Sequence, residues 1–345
     1  MLTKQECQAM RGLAIIGIML HNYCHWLAGI TQENEYIWRQ ANNERLMQAL
    51  SQPDAMLPIH LFSYFGHYGV PVFLLLSGFG LVMKHEHGNT MVSSWRFLRY
   101  NYLKLLRIMI VGFVGFVMVD AATRGAHRYE AVDIVAMLTM TSNFLENPSE
   151  VIWPGPYWYF GLTLQLYMVY RLVFYRWQHW SVVAGIVALC WLLQAMCQGD
   201  DTLLKWLRYN CIGSMMPFAM GVLAGRYLKE FTLRPAQWAV VLVVSCALGV
   251  VSCLTFQTWL WTPAAVAVAV IAAAKLLPKA ALKYCVWVGG LSAAIFVCHP
   301  MVRKLFVFSY GKHEVYAGLL LYVVCTVGVA WLFQKIISWI PKPQP

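Results

Sequence analysis

The chain has 345 residues, of which 60% are hydrophobic and only 12% charged. A soluble globular chain is about a quarter charged, so this balance, with a mean hydropathy of +0.56, excludes an ordinary soluble domain and indicates a polytopic membrane protein. The net charge of +11 does not point to nucleic acid, because the basic residues lie in short segments between apolar runs, as retained cytoplasmic loops do.

A membrane span needs about 20 mostly apolar residues. In chain order the candidates are 9–29, 64–83, 103–121, 157–175, 181–197, 209–228, 237–256, 259–277, 284–305 and 315–338. The expected fold is therefore an all-α bundle of about ten transmembrane helices, one domain over residues 1–345. The stretch 131–144 is too short and polar for a clean span and reads as re-entrant or interfacial. An even number of spans puts both termini on one side. Placing them in the cytoplasm leaves about sixteen Lys and Arg inside against about nine outside, Lys229 and Lys312 among them. The first apolar run lacks a clear cleavage site and is expected to stay as the first span. The ten cysteines lie mostly in apolar runs with no C-x-x-C pair, which suits small buried hydrophobes better than a metal site.

The first span, "RGLAIIGIMLHNYCHW" (11–26), carries Arg11, His21 and His25. His21 lies ten residues beyond Arg11, roughly 15 Å deeper on a helix. Ionisable groups at that depth usually face a cavity or a partner. Interhelical hydrogen bonds would explain the two histidines; so would proton transfer, for which imidazole is suited near neutral pH. In "YGVPVFLLLSGFGLVM" (68–83), Gly69, Pro71, Gly78 and Gly80 interrupt the apolar run and Ser77 adds a hydroxyl. Small residues there permit close helix approach or let backbone line a cavity.

In "SSWRFLRYNYLKLLRIM" (93–109), Arg96 with Arg99, and Lys104 with Arg107, are pairs three apart that share a helix face. They read as membrane anchors singly and as an anion site together, since guanidinium groups bind phosphate well. "WPGPYWYFGLTLQLYMVYRL" (153–172) opens with Trp158 and Tyr159, read as aromatic-belt residues, and holds Gln165 at mid-span, where an amide must find a partner. "GGLSAAIFVCHPMV" (289–302) places Ser292 and His299 seven apart on similar faces. No G-x-S-x-G elbow accompanies them.

In this order, "RGLAIIGIMLH", "GVPVFLLLSGF", "RFLRYNYLKLLRI", "WYFGLTLQLYMVY" and "LSAAIFVCHPMV" resemble the acyltransferase-3 family of integral membrane acyltransferases, over essentially the whole chain. The resemblance implies a ten-span enzyme of a bacterial-type plasma membrane. It would take an acyl group, usually acetyl, from cytosolic acetyl-CoA to a hydroxyl of a glycan or lipid-linked saccharide, with membrane lipid around it and no metal. It makes Arg11 and His21 the catalytic pair, with His25 as rival imidazole. Lys104 and Arg107, with Arg96 and Arg99 upstream, become the CoA-binding set. Ser77, Trp158, Tyr159, Gln165 and His299 are left for the acceptor. The family spaces its arginine and histidine by eleven residues, and here the spacing is ten. On a regular helix ten residues miss the same face by roughly 80°, whereas His25, fourteen on, misses by about 40°. A kink or π-bulge would remove the difference. The alternative reading is a transporter of an anion or a saccharide, which would be expected to show repeated halves.

Overall fold

The computed structural model describes residues 2–88, 93–228, 231–310 and 314–344. Lys229 and Lys312 lie outside them. Among the described residues the chain is all helical, and each predicted span falls on a helix or a pair of stacked helical pieces.

The first is α1 (Lys4–Cys24), started by a capping box in which the Thr3 hydroxyl accepts from the Glu6 amide and the Glu6 carboxylate accepts from the Thr3 amide. α1 ends at Cys24, before the predicted boundary, so His25 occupies its C-cap. A short outer helix α2 (Gln40–Ser51) leads into α3 (Leu57–Phe65). A 3₁₀ turn over Gly66–Tyr68 joins α3 to α4 (Gly69–Leu81), which ends in a π-helical turn at Val82–Glu86. Ser93 caps α5 (Ser94–Ala121).

The uncertain stretch 131–144 forms α6 (Ala131–Leu138) and a 3₁₀ turn. At 1.5 Å per residue, eight residues cover about 12 Å, far short of a bilayer core. α7 (Pro148–Val151) and α8 (Trp158–Val169) follow, the latter ending in a π-helical turn at Tyr170–Phe174. Then come α9 (Trp180–Ala195), α10 (Asp201–Tyr209), α11 (Cys211–Tyr227), α12 (Pro235–Ser252), α13 (Phe256–Trp259), α14 (Thr262–Leu276), α15 (Lys279–Tyr310) and α16 (Val315–Trp339).

Among the described residues, five segments are long and apolar enough to cross a membrane, namely Leu57–Glu86, Ser94–Ala121, Pro235–Ser252, Lys279–Phe306 and Val315–Trp339. α1 sits in the middle of the bundle, with its most extensive contact on α15 and others on α3, α4, α14 and α16. The α12 window is only 11% buried, so that helix faces outward. We call the end carrying both chain termini proximal and the other end distal.

α1 packs backbone to backbone on both flanks. A Cβ added at Gly12 would lie 2.0 Å from the Cys285 carbonyl oxygen, and one at Gly289 would lie 2.0 Å from that of Gln8. The glycines of the second span divide in use. Gly69 and Gly78 make close approaches to Ala14 and Phe218, whereas Gly80 faces open space. Gly12→Val is therefore expected to destabilise the protein by about 3 kcal/mol, since no rotamer relieves a clash with a carbonyl. Thermal melting in detergent checks this, with Gly80→Ala as a control expected to melt like the parent.

Candidate functional site

At the distal end of α1, His21 is buried and its Nδ1 lies 2.8 Å from the Ser63 carbonyl oxygen. A carbonyl only accepts, so Nδ1 carries the proton and Nε2 keeps its lone pair. The His25 ring lies 4.9 Å from that of His21, and the His67 ring 5.0 Å from it. Gly66 makes this third approach possible. A Cβ there would sit 2.3 Å from the Gly17 carbonyl oxygen and 2.8 Å from the His21 Cβ, so only glycine lets the 3₁₀ turn lie against α1.

His299 on α15 is within electrostatic reach of His21. Its Nδ1 donates to the Ile295 carbonyl at 3.1 Å, and its Nε2 is buried without a partner. Arg303, one turn on, donates to Asn22 Oδ1 at 3.1 Å and lies 4.7 Å from the centre of the Trp26 ring. Four imidazoles and a guanidinium thus converge around one point in the bundle.

A basic mouth lies on the proximal side. Arg11 is within electrostatic reach of Lys104, Tyr159 and Tyr167, and Lys84 lies 4.5 Å from the centre of the Tyr100 ring. Ser77 is within hydrogen-bonding reach of both Tyr159 and Tyr167. Tyr159 packs on Phe296 at 5.2 Å between ring centres, and Phe296 on His299 at 6.0 Å. A run of packed rings, Tyr159, Phe296 and His299, thus forms a track leading from the neighbourhood of Arg11 toward the histidines.

Most of the remaining predicted residues lie off this track. Arg107 donates to the Ile337 carbonyl in the last turn of α16, a favourable place for a cation. Arg96 and Arg99 are exposed in the first turns of α5. Gln165 belongs to a structural knot, donating to Asn210 Oδ1 at 2.9 Å and accepting from the Cys211 amide at 2.9 Å. Trp158 is only 3% exposed and packs edge-on against Tyr36 and Tyr209, so its expected place in an aromatic belt is corrected. Tyr159 points into the track rather than outward.

α1 is unbroken α-helix, so no π-bulge restores the Arg-to-His register. The π-helical turns fall at the ends of α4 and α8 instead. Sequence reasoning passed over His67 and Arg303, although both stood inside predicted spans. An inventory of every ionisable group within the apolar runs would have found them.

The distal side is closed by residues 31–38, which fold inward. Tyr36 stacks on Tyr209 at 4.3 Å, and Arg208 donates to the Glu35 carbonyl and, at 2.9 Å, to Gln194 Oε1. Glu35, Tyr68, Trp158, Arg208 and Ser214 line a small cavity of about 20 Å³, room for about one water. Glu33 accepts from Trp259 Nε1 and from Asn42 Nδ2, each at 3.1 Å. Burial pushes its carboxyl up from 4.5 to about 8. The folded state thus favours the protonated form, and the stability this confers is complete below about 4.5 and lost as pH rises through about 8. The melting temperature is expected to fall by several degrees over that window, and Glu33→Gln to flatten the profile.

Comparison with known families matches residues 6–335 to the profile of the acyltransferase domain, nearly the whole of the chain. No curated protein and no solved structure matches it. Together with the apolar helical bundle, the match means that the chain belongs to the acyltransferase-3 family and is a membrane acyltransferase.

Proposed function

We propose that the protein transfers an acyl group, most simply acetyl, from cytosolic acyl-CoA to a hydroxyl of a glycan or lipid-linked saccharide on the far side of a bacterial-type plasma membrane, with both chain termini in the cytoplasm. The observation that carries this reading is the position of His21. Its tautomer is fixed by the Ser63 carbonyl, and it packs against His67, whose neighbour Tyr68 lines the distal cavity. Arg11 and Lys104 hold the phosphates of the donor, with Arg96 and Arg99 at the entrance. His21 Nε2 takes the proton of the acceptor hydroxyl as that oxygen attacks the thioester carbonyl. The C–S bond breaks, and the same proton passes to the departing thiolate to give free CoA. If His21 instead carries the acyl group transiently on Nε2, the overall balance is unchanged.

The test supplies radiolabelled acetyl-CoA to membranes containing the protein and to membranes without it. Label is expected in the saccharide fraction only when the protein is present. No transfer, or saccharide movement without CoA release, would overturn the reading in favour of transport.

A further inference from the structure

The distal face carries a cleft of about 200 Å³, far roomier than the cavity of about 20 Å³ behind segment 31–38. Three segments line it: Ile37, then Asn147 and Ser149 around the start of α7, then Asp201, Lys205 and Trp206 of α10. Two contacts tie these segments together. Arg39 pairs with Asp201 at 3.0 Å, and Lys205 Nζ donates to Ser149 Oγ at 2.6 Å.

The lining chemistry selects a ligand. Asn147 immediately precedes α7, yet its side chain does not cap it. An asparagine in that position usually spends its oxygen on the helix amides, so here the whole amide is left for another partner, with one acceptor and two N–H donors. The Ser149 hydroxyl accepts from Lys205 and keeps its own proton to donate. Charges nearly cancel, since Glu146 and Asp201 stand with Lys205 in the cleft and Arg39 neutralises Asp201. A phosphate would meet two carboxylates, and an ammonium would meet Lys205. Trp206 and Ile37 add apolar wall. A neutral ligand with hydroxyls on its edge and C–H groups on its faces, a sugar ring, answers all of these groups. Pockets for drug-sized ligands run to about 300–1,000 Å³, so about 200 Å³ suits a single ring.

The cleft also shares its walls with the site. Glu35 and Arg208 line the inner cavity, and Tyr36 stacks on Tyr209. Their chain neighbours Ile37, Lys205 and Trp206 line the outer cleft. We propose that this cleft binds one uncharged sugar unit of the acceptor, a unit other than the one acylated, and so holds the glycan against segment 31–38. This rests on the acyl-transfer reading above and extends it to an acceptor of at least two sugar units.

The experiment uses the full-length protein in membranes. The probe is the surface saccharide fraction of cells lacking the protein, radiolabelled and offered without acetyl-CoA, so that binding is read apart from transfer. The parent is expected to retain it. Asn147→Ala is expected to weaken retention about fivefold, as for the loss of a hydrogen bond, and Asn147→Trp, which fills the cleft from an exposed position, to abolish it. In the transfer assay Asn147→Ala is expected to raise the half-saturating amount of saccharide by the same factor and to leave that of acetyl-CoA unchanged. No retention by the parent, equal retention by parent and both variants, or equal shifts for both substrates would overturn the cleft as an acceptor site. A parent that retains saccharide in this variant-sensitive way but transfers no label would overturn the acyl-transfer reading and leave the cleft standing as a saccharide site.

Discussion

His21→Ala is expected to lower acyl transfer by about a thousandfold. A positioned general base contributes typically 10²–10⁴-fold, and His21 has the attributes of one. Its Nδ1 is held on the Ser63 carbonyl, so the ring cannot turn its lone pair away from the site. It also touches both neighbouring imidazoles, which makes it the centre of the cluster rather than its edge. His25 sits at the C-cap beyond the helix, and His25→Ala is expected to cost no more than about tenfold. Both variants are assayed with labelled acetyl-CoA in membranes, normalised to the folded protein present. Full activity in both would sink the mechanism. A larger loss in His25→Ala than in His21→Ala would move the base to His25.

The second large effect is on stability. Glu86 and Arg226 form a bidentate ion pair, with Nε to Oε2 at 2.8 Å and Nη2 to Oε1 at 2.7 Å, and each side chain is only 6% exposed. Arg226 also donates to the Phe174 and Gln178 carbonyls, and the Tyr170 hydroxyl donates to Glu86. Glu86 and Phe174 belong to the two π-helical turns, so this pair ties the proximal ends of α4 and α8 to α11. Removing one partner strands a buried charge, at a cost of about 3–5 kcal/mol. Glu86→Ala or Arg226→Ala should each sharply lower the melting temperature and the folded yield. The double variant Glu86→Met with Arg226→Met should recover much of the loss, because two apolar chains of similar length leave no charge unpaired. If the double is worse than either single, the pair has a net stabilising worth of its own.

The span pattern was legible because lipid imposes it. Long apolar runs between basic segments leave few alternatives to helices, and the predicted segments recur with small shifts at their ends. Residues 131–144 were correctly kept out of the count by their length. A charge at depth, as with Arg11 and His21, stands out in the sequence. The partner that a side chain finds on another helix does not. Nothing in the local pattern around Gln165 distinguishes an amide locked to Asn210 from one facing a substrate. Nothing around Arg107 in the sequence shows that its guanidinium donates to the end of α16. Trp158 and Tyr159 are adjacent and point to different neighbours. His67 needed the close approach of Gly66 to Gly17, a contact between segments nearly fifty residues apart.

That approach, with those at Gly12 and Gly289, has a mechanical meaning. Helices that meet through side chains can slide by changing rotamers, but α1 meets α15 on one flank and the α3–α4 turn on the other through bare backbone. Such contacts have no soft direction: turning or sliding α1 drives carbonyl groups into one another. Carriers work by rocking one half of the molecule around a site, and α1, α15 and the α3–α4 turn, gripped in this way, could take part in such a motion only as one body. In the proposed reaction the histidines are a stationary anvil, approached by thioester from one face and by alcohol from the other. The acyl group then makes the crossing while the protein stays still.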